Sequence, residues 1–356
     1  MTKISWRLGV SAAAALVISG LGAGSASAAT APAPQTKVAW QAAIAHVREP
    51  GQGCYRASYP ALAWHAVTCA AAPRQPFIPA PPNRSAVRTQ PQVIGDGADY
   101  SAQVPGLISR ATGTFRNVSP GITVQGQFLG SGPQVANGFS LQLNSQFFTG
   151  SPACSASGDP ASCQAWQQFI YAWEGTTTSY IFMQYWLIGY NATCPSSWET
   201  YATSATTNDC YISSNAAAVN TLTASQLATL QFTGSATANG NDAVTLSAGP
   251  GQAAIVTAPD STVDLAGFWN TTEWGVFGDG GGSEAYFGAN TWLEPQTALA
   301  ASSGRAAPTC VSEGFTGETN NLTLTATPRL SHQPAPTMAS EQTNGTTAAA
   351  SCAVTG

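Results

Sequence analysis

Charge is scarce in this chain. Its 356 residues include 12 Lys and Arg, 17 Asp and Glu and 3 His, which gives a formal net charge of -5. A chain without a cluster of basic residues lacks the electrostatic footprint that nucleic acids require. We therefore predict no nucleic-acid partner. The small number of carboxylates also suits a protein that tolerates acid, where these groups lose their charge.

Long apolar runs are missing beyond the N-terminus. No later segment approaches the ~18 uninterrupted apolar residues that cross a membrane. At the start, Lys3 and Arg7 precede an apolar run over residues 8–23, and the small residues 26–28 follow it. This order is typical of a signal peptide. We predict a signal peptide over residues 1–28 and a secreted, extracellular protein with no membrane partner.

Metal-binding patterns are also lacking, since the chain has no C-x-x-C sequence and only 3 His. We therefore predict neither a zinc site nor a cofactor. The chain does have 8 Cys, an even number that favours disulfides in an exported protein. Eight cysteines allow about 105 connectivities, so pairing of nearest neighbours is a preference based on proximity. The preferred pairs are Cys54/Cys69, Cys154/Cys163, Cys194/Cys210 and Cys310/Cys352.

Proline marks the domain organisation. Residues 29–93 form a Pro-rich leader with a small knot closed by Cys54 and Cys69, and two interpretations stay open. The leader is either a propeptide that covers the active face or a linker with a local fold. We predict that residues 94–302 form the main domain and that residues 303–356 form a C-terminal extension closed by Cys310 and Cys352.

The strongest structural pattern lies at residues 139–147 (FSLQLNSQF), where apolar and polar side chains alternate with the period of a β-strand. Residues 165–173 and 180–188 are rich in aromatic side chains, and a short Gly-containing link joins them. The pattern predicts three adjacent strands.

Elsewhere, short strands alternate with Gly and Asn turns, including expected strands at 263–267 and 285–293. We predict a single short helix, at 221–230, in the mature chain. The predicted fold is an all-β, two-sheet antiparallel β-sandwich with disulfide-stapled loops.

Three motifs in this order resemble the glutamic peptidases, the eqolisins and their neprosin relatives. SLQLN at 140–144 resembles the ILQTG strand that carries the family's catalytic glutamine. FMQYWL at 182–187 resembles AWYEWYP, and TTEWGVF at 271–277 resembles NAEFIIEDF. The chain is also similar to a group of secreted bacterial proteins of unknown function that share its LQLN, QYWL and GDGGGS signatures. The resemblance implies a concanavalin-like sandwich.

The resemblance also implies site residues. Gln142 matches the catalytic glutamine, whose amide stabilises the oxyanion while a glutamate acts as general base on water. The position of that glutamate falls on Phe277, and Glu273 matches the family's first, non-catalytic glutamate. Glu273 shares a strand face with residue 277 at roughly 13 Å along the strand, and it becomes the candidate base. Alternatively, Asp279 serves as the base, or the chemistry has been lost.

The expected binding residues are Gln184, Trp186, Trp274 and Asp279. Gln184 occupies the position at which the family has a glutamate. A carboxylate beside a Trp ring, as in Glu273, can have a raised pKa. The glycine-rich loop at 278–284 is open to three interpretations: a calcium site, a substrate-covering loop or a plain turn.

Two functions follow from these patterns. The first is a secreted, acid-acting glutamic-type endopeptidase, with an extracellular polypeptide as substrate. The alternative is a non-catalytic sandwich that binds a glycan or a protein through a degenerate groove. In both cases we expect a monomer.

Overall fold

The computed structural model describes residues 36–80, 93–128, 130–202, 206–249, 251–325, 335–345 and 349–356. The predicted signal peptide and residues 29–35 and 81–92 of the leader lie outside this part of the chain. Within it, no helix is long enough and apolar enough to cross a membrane.

Strands dominate the described residues, which contain one α-helix, α1 (Lys37–Ile44). The strands are β1 (Gly53–Ser58), β2 (His65–Val67), β3 (Val93–Gly95), β4 (Tyr100–Gln103), β5 (Ile108–Val118), β6 (Val124–Phe128), β7 (Ser131–Ala136), β8 (Ser140–Ser145), β9 (Gln164–Trp173), β10 (Thr178–Asn191), β11 (Glu199–Ala202), β12 (Asn208–Ser213), β13 (Ala217–Asn220), β14 (Gln231–Ser235), β15 (Asn241–Ser247), β16 (Gln252–Pro259), β17 (Thr271–Phe277), β18 (Glu284–Phe287), β19 (Trp292–Ala301), β20 (Thr309–Ser312), β21 (Thr319–Leu324), β22 (Thr337–Ser340), β23 (Gln342–Thr343) and β24 (Cys352–Thr355).

These strands form two sheets that pack as a sandwich, so the predicted fold class is confirmed. The larger sheet has the order β2-β1-β16-β15-β14-β5-β19-β23-β21-β18-β6-β7, with β3, β22 and β24 attached to it. The smaller sheet has the order β11-β12-β10-β9-β8-β17-β4-β20, with β13 paired to β10. The neighbouring strands are antiparallel except for β18 and β21. The three strands predicted to be adjacent are β8, β9 and β10.

The core between the sheets explains two glycines. A Cβ on Gly113 would lie 2.2 Å from the Trp274 ring, and one on Gly234 would lie 2.5 Å from the Phe169 ring. Any side chain at these positions would overlap a buried ring, so glycine in the larger sheet lets the large rings of the smaller sheet approach it.

The leader is built into the larger sheet. Thr36 caps α1 by accepting a 3.1 Å hydrogen bond from the Ala39 amide, and the helix buries Trp40 and Ile44. Six residues of β1 pair with β16. The C-terminal residues are equally integrated, because β20 pairs with β4 and β21 lies between β23 and β18. The described residues from 36 onward fall into one compact unit.

The local predictions have mixed outcomes. All four preferred disulfides are confirmed. The helix predicted at 221–230 is wrong: only Ala224–Ala228 form a 3₁₀ turn, because the chain must extend into β14 by Gln231. The helix α1, in the leader, was missed.

Two predicted strands also differ from the structure. Residues 263–267 lie in 3₁₀ turns, where the Asp260 carboxylate accepts a 2.9 Å hydrogen bond from the Ala266 amide and Asp264 has a left-handed φ of 59°. Such a local hydrogen bond from the backbone to a side chain offers an alternative to strand pairing. Residues 285–293 divide into the end of β18 and the start of β19.

Candidate active site

A row of polar side chains crosses the face of the smaller sheet that points away from the core. The register places Asn144 between Glu273 and Gln168, and it places Gln184 between Gln168 and Ser213. Directly opposed residues on antiparallel strands share a face, so this polar row spans β17, β8, β9, β10 and β12. All of its members except Ser213 are completely buried.

Gln142 lies beside this row, two residues before Asn144 on β8. Its side-chain oxygen accepts hydrogen bonds from Gln168 at 3.0 Å and from Asn144 at 3.3 Å. Its side-chain nitrogen donates to the Ser140 hydroxyl at 3.1 Å and to a carboxylate oxygen of Glu318 at 3.3 Å. The two amides that bind its oxygen therefore direct its N–H groups toward a carboxylate.

Glu318 is the carboxylate in contact with Gln142, and it comes from the residue before β21. Its Oε2 accepts from Gln142 and from the Thr316 hydroxyl, and its Oε1 accepts from the amides of Gly282 at 3.0 Å and Ile78 at 2.9 Å. Burial raises the pKa of Glu318, while these hydrogen bonds act to lower it. The result is a buried acid with both oxygens held in place.

Glu273 lies at one end of the polar row. Its Oε2 accepts from Asn144 at 2.9 Å and from the amides of Phe315 at 3.0 Å and Thr316 at 3.2 Å, while its Oε1 has no hydrogen-bond partner. Burial raises the pKa of Glu273 to about 7, against these hydrogen bonds and with a contribution from the charge of Glu318. The same carboxylate helps to raise the pKa of buried Asp99.

The short turn before β21 brings the carboxylates together. The amides of Phe315 and Thr316 bind Glu273, and the side chain of Glu318 reaches Gln142. The Gly278 amide donates to the Thr319 carbonyl at 3.0 Å, which joins this turn to the end of β17. Glu318 thus enters the site beside Phe277, the position where the sequence lacks the expected glutamate.

Part of the leader crosses the polar row outside strands β1–β24, with a single isolated bridge at Pro79, and we call residues 75–80 the leader strand. Gln184 accepts from the Phe77 amide at 2.8 Å and donates to the Gln75 carbonyl at 3.0 Å. The Ala80 amide donates to the Phe315 carbonyl at 2.8 Å, and the Gly317 amide donates to the Ile78 carbonyl at 2.7 Å. The strand therefore binds through its backbone, directly over Gln184 and Glu318.

The glycine-rich loop at 278–284 lies along the leader strand, and we call the site bounded by this loop, the polar row and the turn before β21 the groove. The Gly281 amide donates to the Pro76 carbonyl at 2.8 Å, and Gly280, Gly281 and Gly282 all have positive φ. A Cβ on Gly280 would lie 3.1 Å from the Pro76 carbonyl oxygen, so glycine permits this close contact. The loop therefore contacts the leader strand of the same chain, and its three interpretations stay predictions. Within the described residues, no group of three or more His, Cys, Asp or Glu is placed to hold a metal.

Three of the predicted binding residues lie in this groove. Gln184 contacts the leader strand, and Trp186 donates to the Gln184 side-chain oxygen at 3.2 Å while its ring stacks on Tyr211. The Asp279 carboxylate accepts from the Trp173 amide at 3.0 Å and from the Gln75 side chain at 3.5 Å, and burial raises its pKa. Gln142 and Glu273 lie beside them, joined through Asn144.

Trp274 is placed elsewhere, which corrects its assignment to substrate binding. Neighbouring residues on a strand point to opposite faces, so Trp274 faces the core when Glu273 faces the groove. Its ring packs against those of Phe115 and Phe232 at centroid distances of 5.1 and 5.5 Å, and it donates to the Thr114 carbonyl.

Glu318 was missed in the sequence because it lies beyond the region that resembles the peptidases. Residues 315–324 (FTGETNNLTL) predict one last strand, and nothing local connects them to Gln142. One signal was present: acidic residues are so few in this chain that each one inside a patterned segment is a candidate.

Comparison with models of known families found no match, and comparisons with curated proteins and with solved structures found no significant similarity.

Proposed function

We propose that the chain is a peptide hydrolase of glutamic type in which Gln142 and Glu318 act together. The observation that carries the proposal is the 3.3 Å contact between the Gln142 amide and the Glu318 carboxylate at the centre of a groove that holds an extended chain. An oxyanion donor beside a buried carboxylate is the pair of groups that such a reaction needs.

The reaction assigns a task to each group. The Glu318 carboxylate takes a proton from water as the water oxygen bonds to the carbonyl carbon of the substrate. The carbonyl oxygen becomes an oxyanion, which accepts a hydrogen bond from the Gln142 side-chain nitrogen. When the C–N bond breaks, Glu318 returns the proton to the leaving nitrogen, so the carboxylate is regenerated and one water is consumed.

Glu273 is the positioning residue in this proposal. Its carboxylate accepts a hydrogen bond from Asn144, which in turn donates to the Gln142 oxygen. The same carboxylate accepts hydrogen bonds from two backbone amides of the turn that carries Glu318. With a pKa near 7, Glu273 is mostly neutral in weak acid, so it adds little repulsion to an ionised Glu318 under those conditions.

The leader makes the intact chain latent. Residues 75–80 occupy the groove, and the Ile78 amide occupies one oxygen of Glu318, so a substrate must displace them. Between the two interpretations of the leader, these contacts favour the propeptide. Removing the whole leader would also remove β1, which pairs with β16, so substitutions are the cleaner way to open the groove.

The test uses full chains with the substitutions Phe77→Ala and Ile78→Ala, which we call the loosened chain. We expect the loosened chain to cut denatured casein in weak acid at least about 10-fold faster than the unmodified chain, because the leader strand loses one buried and one half-buried side chain and binds the groove more weakly. Fragments are detected by mass spectrometry from pH 3 to 8. A folded loosened chain that releases no fragments at any pH contradicts the peptidase proposal.

A further inference from the structure

The leader strand places one side chain in a closed apolar pocket. Phe77 is completely buried in one apolar cluster with Ile170, Ala172, Phe182 and Ala216, and we call these four residues the aromatic pocket. The centroids of the Phe77 and Phe182 rings lie 6.1 Å apart with an angle of 60° between their planes, a favourable tilted arrangement.

The aromatic pocket belongs to the same face as the polar row. Ile170 lies directly opposite Gln142 on the neighbouring strand, and Phe182 lies opposite Ile170. Ile170 of the pocket is therefore the cross-strand neighbour of Gln142. The sheet fixes the distance between the pocket and the candidate catalytic groups.

Two alanines give the pocket its depth. Ala172 and Ala216 are fully buried, and both belong to the same buried cluster as Phe77. A larger side chain at either position would take up space that the ring occupies. The size of the pocket is thus set by small residues in regular backbone, which is how a specificity pocket selects one large side chain.

The contacts made by the backbone on either side of Phe77 do not depend on which side chains the leader strand carries. Gln184 binds the carbonyl of Gln75 and the amide of Phe77, as a neighbouring strand would. The isolated bridge between Pro79 and Thr316 continues this pairing on the other side of Ile78. Main-chain hydrogen bonds give general affinity for extended chains, while pockets for alternate side chains select among them.

We infer that the groove takes extended polypeptides with an aromatic residue in the aromatic pocket, and that the bond following this residue is the one presented to Glu318. The second part rests on the 2.9 Å hydrogen bond from the Ile78 amide to the Glu318 Oε1. The nitrogen that would leave in hydrolysis is therefore the one nearest the carboxylate. The inference deepens the proposed function, and its cleavage part rests on it.

The binding part is tested without catalysis. The probe is a blocked peptide with the sequence of residues 74–80 (RQPFIPA), added to the loosened chain and followed by calorimetry. Burying a Phe side chain contributes about 1.5–3 kcal/mol, so we expect this peptide to bind about 10–150-fold more tightly than its counterpart with Ala in place of Phe. Equal affinities for the two peptides, or no binding of either, would overturn the inference.

A pocket variant separates recognition from general damage. Ala172→Leu in the loosened chain fills the aromatic pocket, and we expect it to abolish the preference for the Phe peptide. The control is Ala300→Leu, the same change at an exposed position of β19, which should leave the preference intact.

If Ala172→Leu does not fold, hydrogen exchange in the unmodified chain and in Phe77→Ala replaces it. The hydrogen-exchange rates of the backbone amides of residues 77 and 78 should then be at least about 10-fold higher in Phe77→Ala than in the unmodified chain. Equal rates would contradict the inference.

The cleavage part has its own readout. We expect fragments of denatured casein released by the loosened chain to end mainly in Phe, Tyr or Trp. Peptide binding with a Phe preference but no fragments at any pH would retain the aromatic pocket and reject the proposed hydrolysis. Fragments with no aromatic preference would retain hydrolysis and reject the inference.

Discussion

We expect Glu318→Gln in the loosened chain to lower the rate of the proposed peptide hydrolysis by about 10²–10⁴-fold, the range expected for removal of a general base. Glutamine has nearly the shape of glutamate and can still accept the amides of Ile78 and Gly282, but it cannot take a proton from water. The loss should therefore appear in kcat rather than in KM. The measurement is steady-state hydrolysis of a fluorogenic peptide in weak acid.

The control for this variant is Glu313→Gln. Glu313 lies five residues earlier, is exposed, and undergoes the same chemical change. We expect its hydrolysis rate to match that of the loosened chain. A Glu318→Gln protein that is folded and retains the full rate would show that another group acts as the base.

Stability should fall as pH rises from about 4 to 8, with Glu273 as a major contributor. Burial raises its pKa from 4.5 to about 7, so the folded state favours the protonated acid more strongly than the unfolded state does. The stability is fully present below about pH 4.5 and is lost as pH rises through about 7. A shift of this size corresponds to about 3 kcal/mol.

The neighbours of Glu273 act in the same direction. Asp99 and Glu318 are both buried carboxylates with raised pKa values, and Asp99 interacts with the charge of Glu273. We therefore expect the unmodified chain to lose more than the amount due to Glu273 alone.

Glu273→Gln isolates this contribution. Chemical denaturation at pH 4, 6 and 8 measures the free energy of unfolding. Between pH 4 and 8 it should fall less in Glu273→Gln than in the unmodified chain, by up to about 3 kcal/mol, because the amide does not ionise. Glu313→Gln serves again as the matched control and should follow the unmodified chain. An unchanged slope in Glu273→Gln would contradict the assigned pKa.

The sequence predicted the architecture because strand patterns are local. The alternation of Leu141 and Leu143 with Gln142 and Asn144 predicts a one-sided strand, and the structure confirms β8 with that orientation. The four disulfides were also predictable, since the cysteines of each pair are near neighbours in the chain. The helix prediction failed at 221–230, where pairing of the following residues into a sheet overrides a weak helical pattern.

The site was only half predictable for a different reason. Gln142, Gln184 and Glu273 lie on strands whose motifs are local, but Glu318 lies 176 residues after Gln142 and meets it only through the fold. The leader posed the same problem, because Phe77 reaches its pocket from 93 residues before Ile170. Contacts of this kind depend on sheet order, which composition and periodicity do not specify.

The most direct test of the account is a double-mutant cycle on the loosened chain, with Gln142→Ala, Glu318→Gln and the two combined. Groups that act as a unit lose nearly all of their effect when either is removed. We predict that each single variant lowers kcat/KM for a fluorogenic peptide by about 10²-fold or more, and that the double variant is no more than about 10-fold worse than Glu318→Gln alone. Full activity in the double variant would contradict the account, as would losses that simply add.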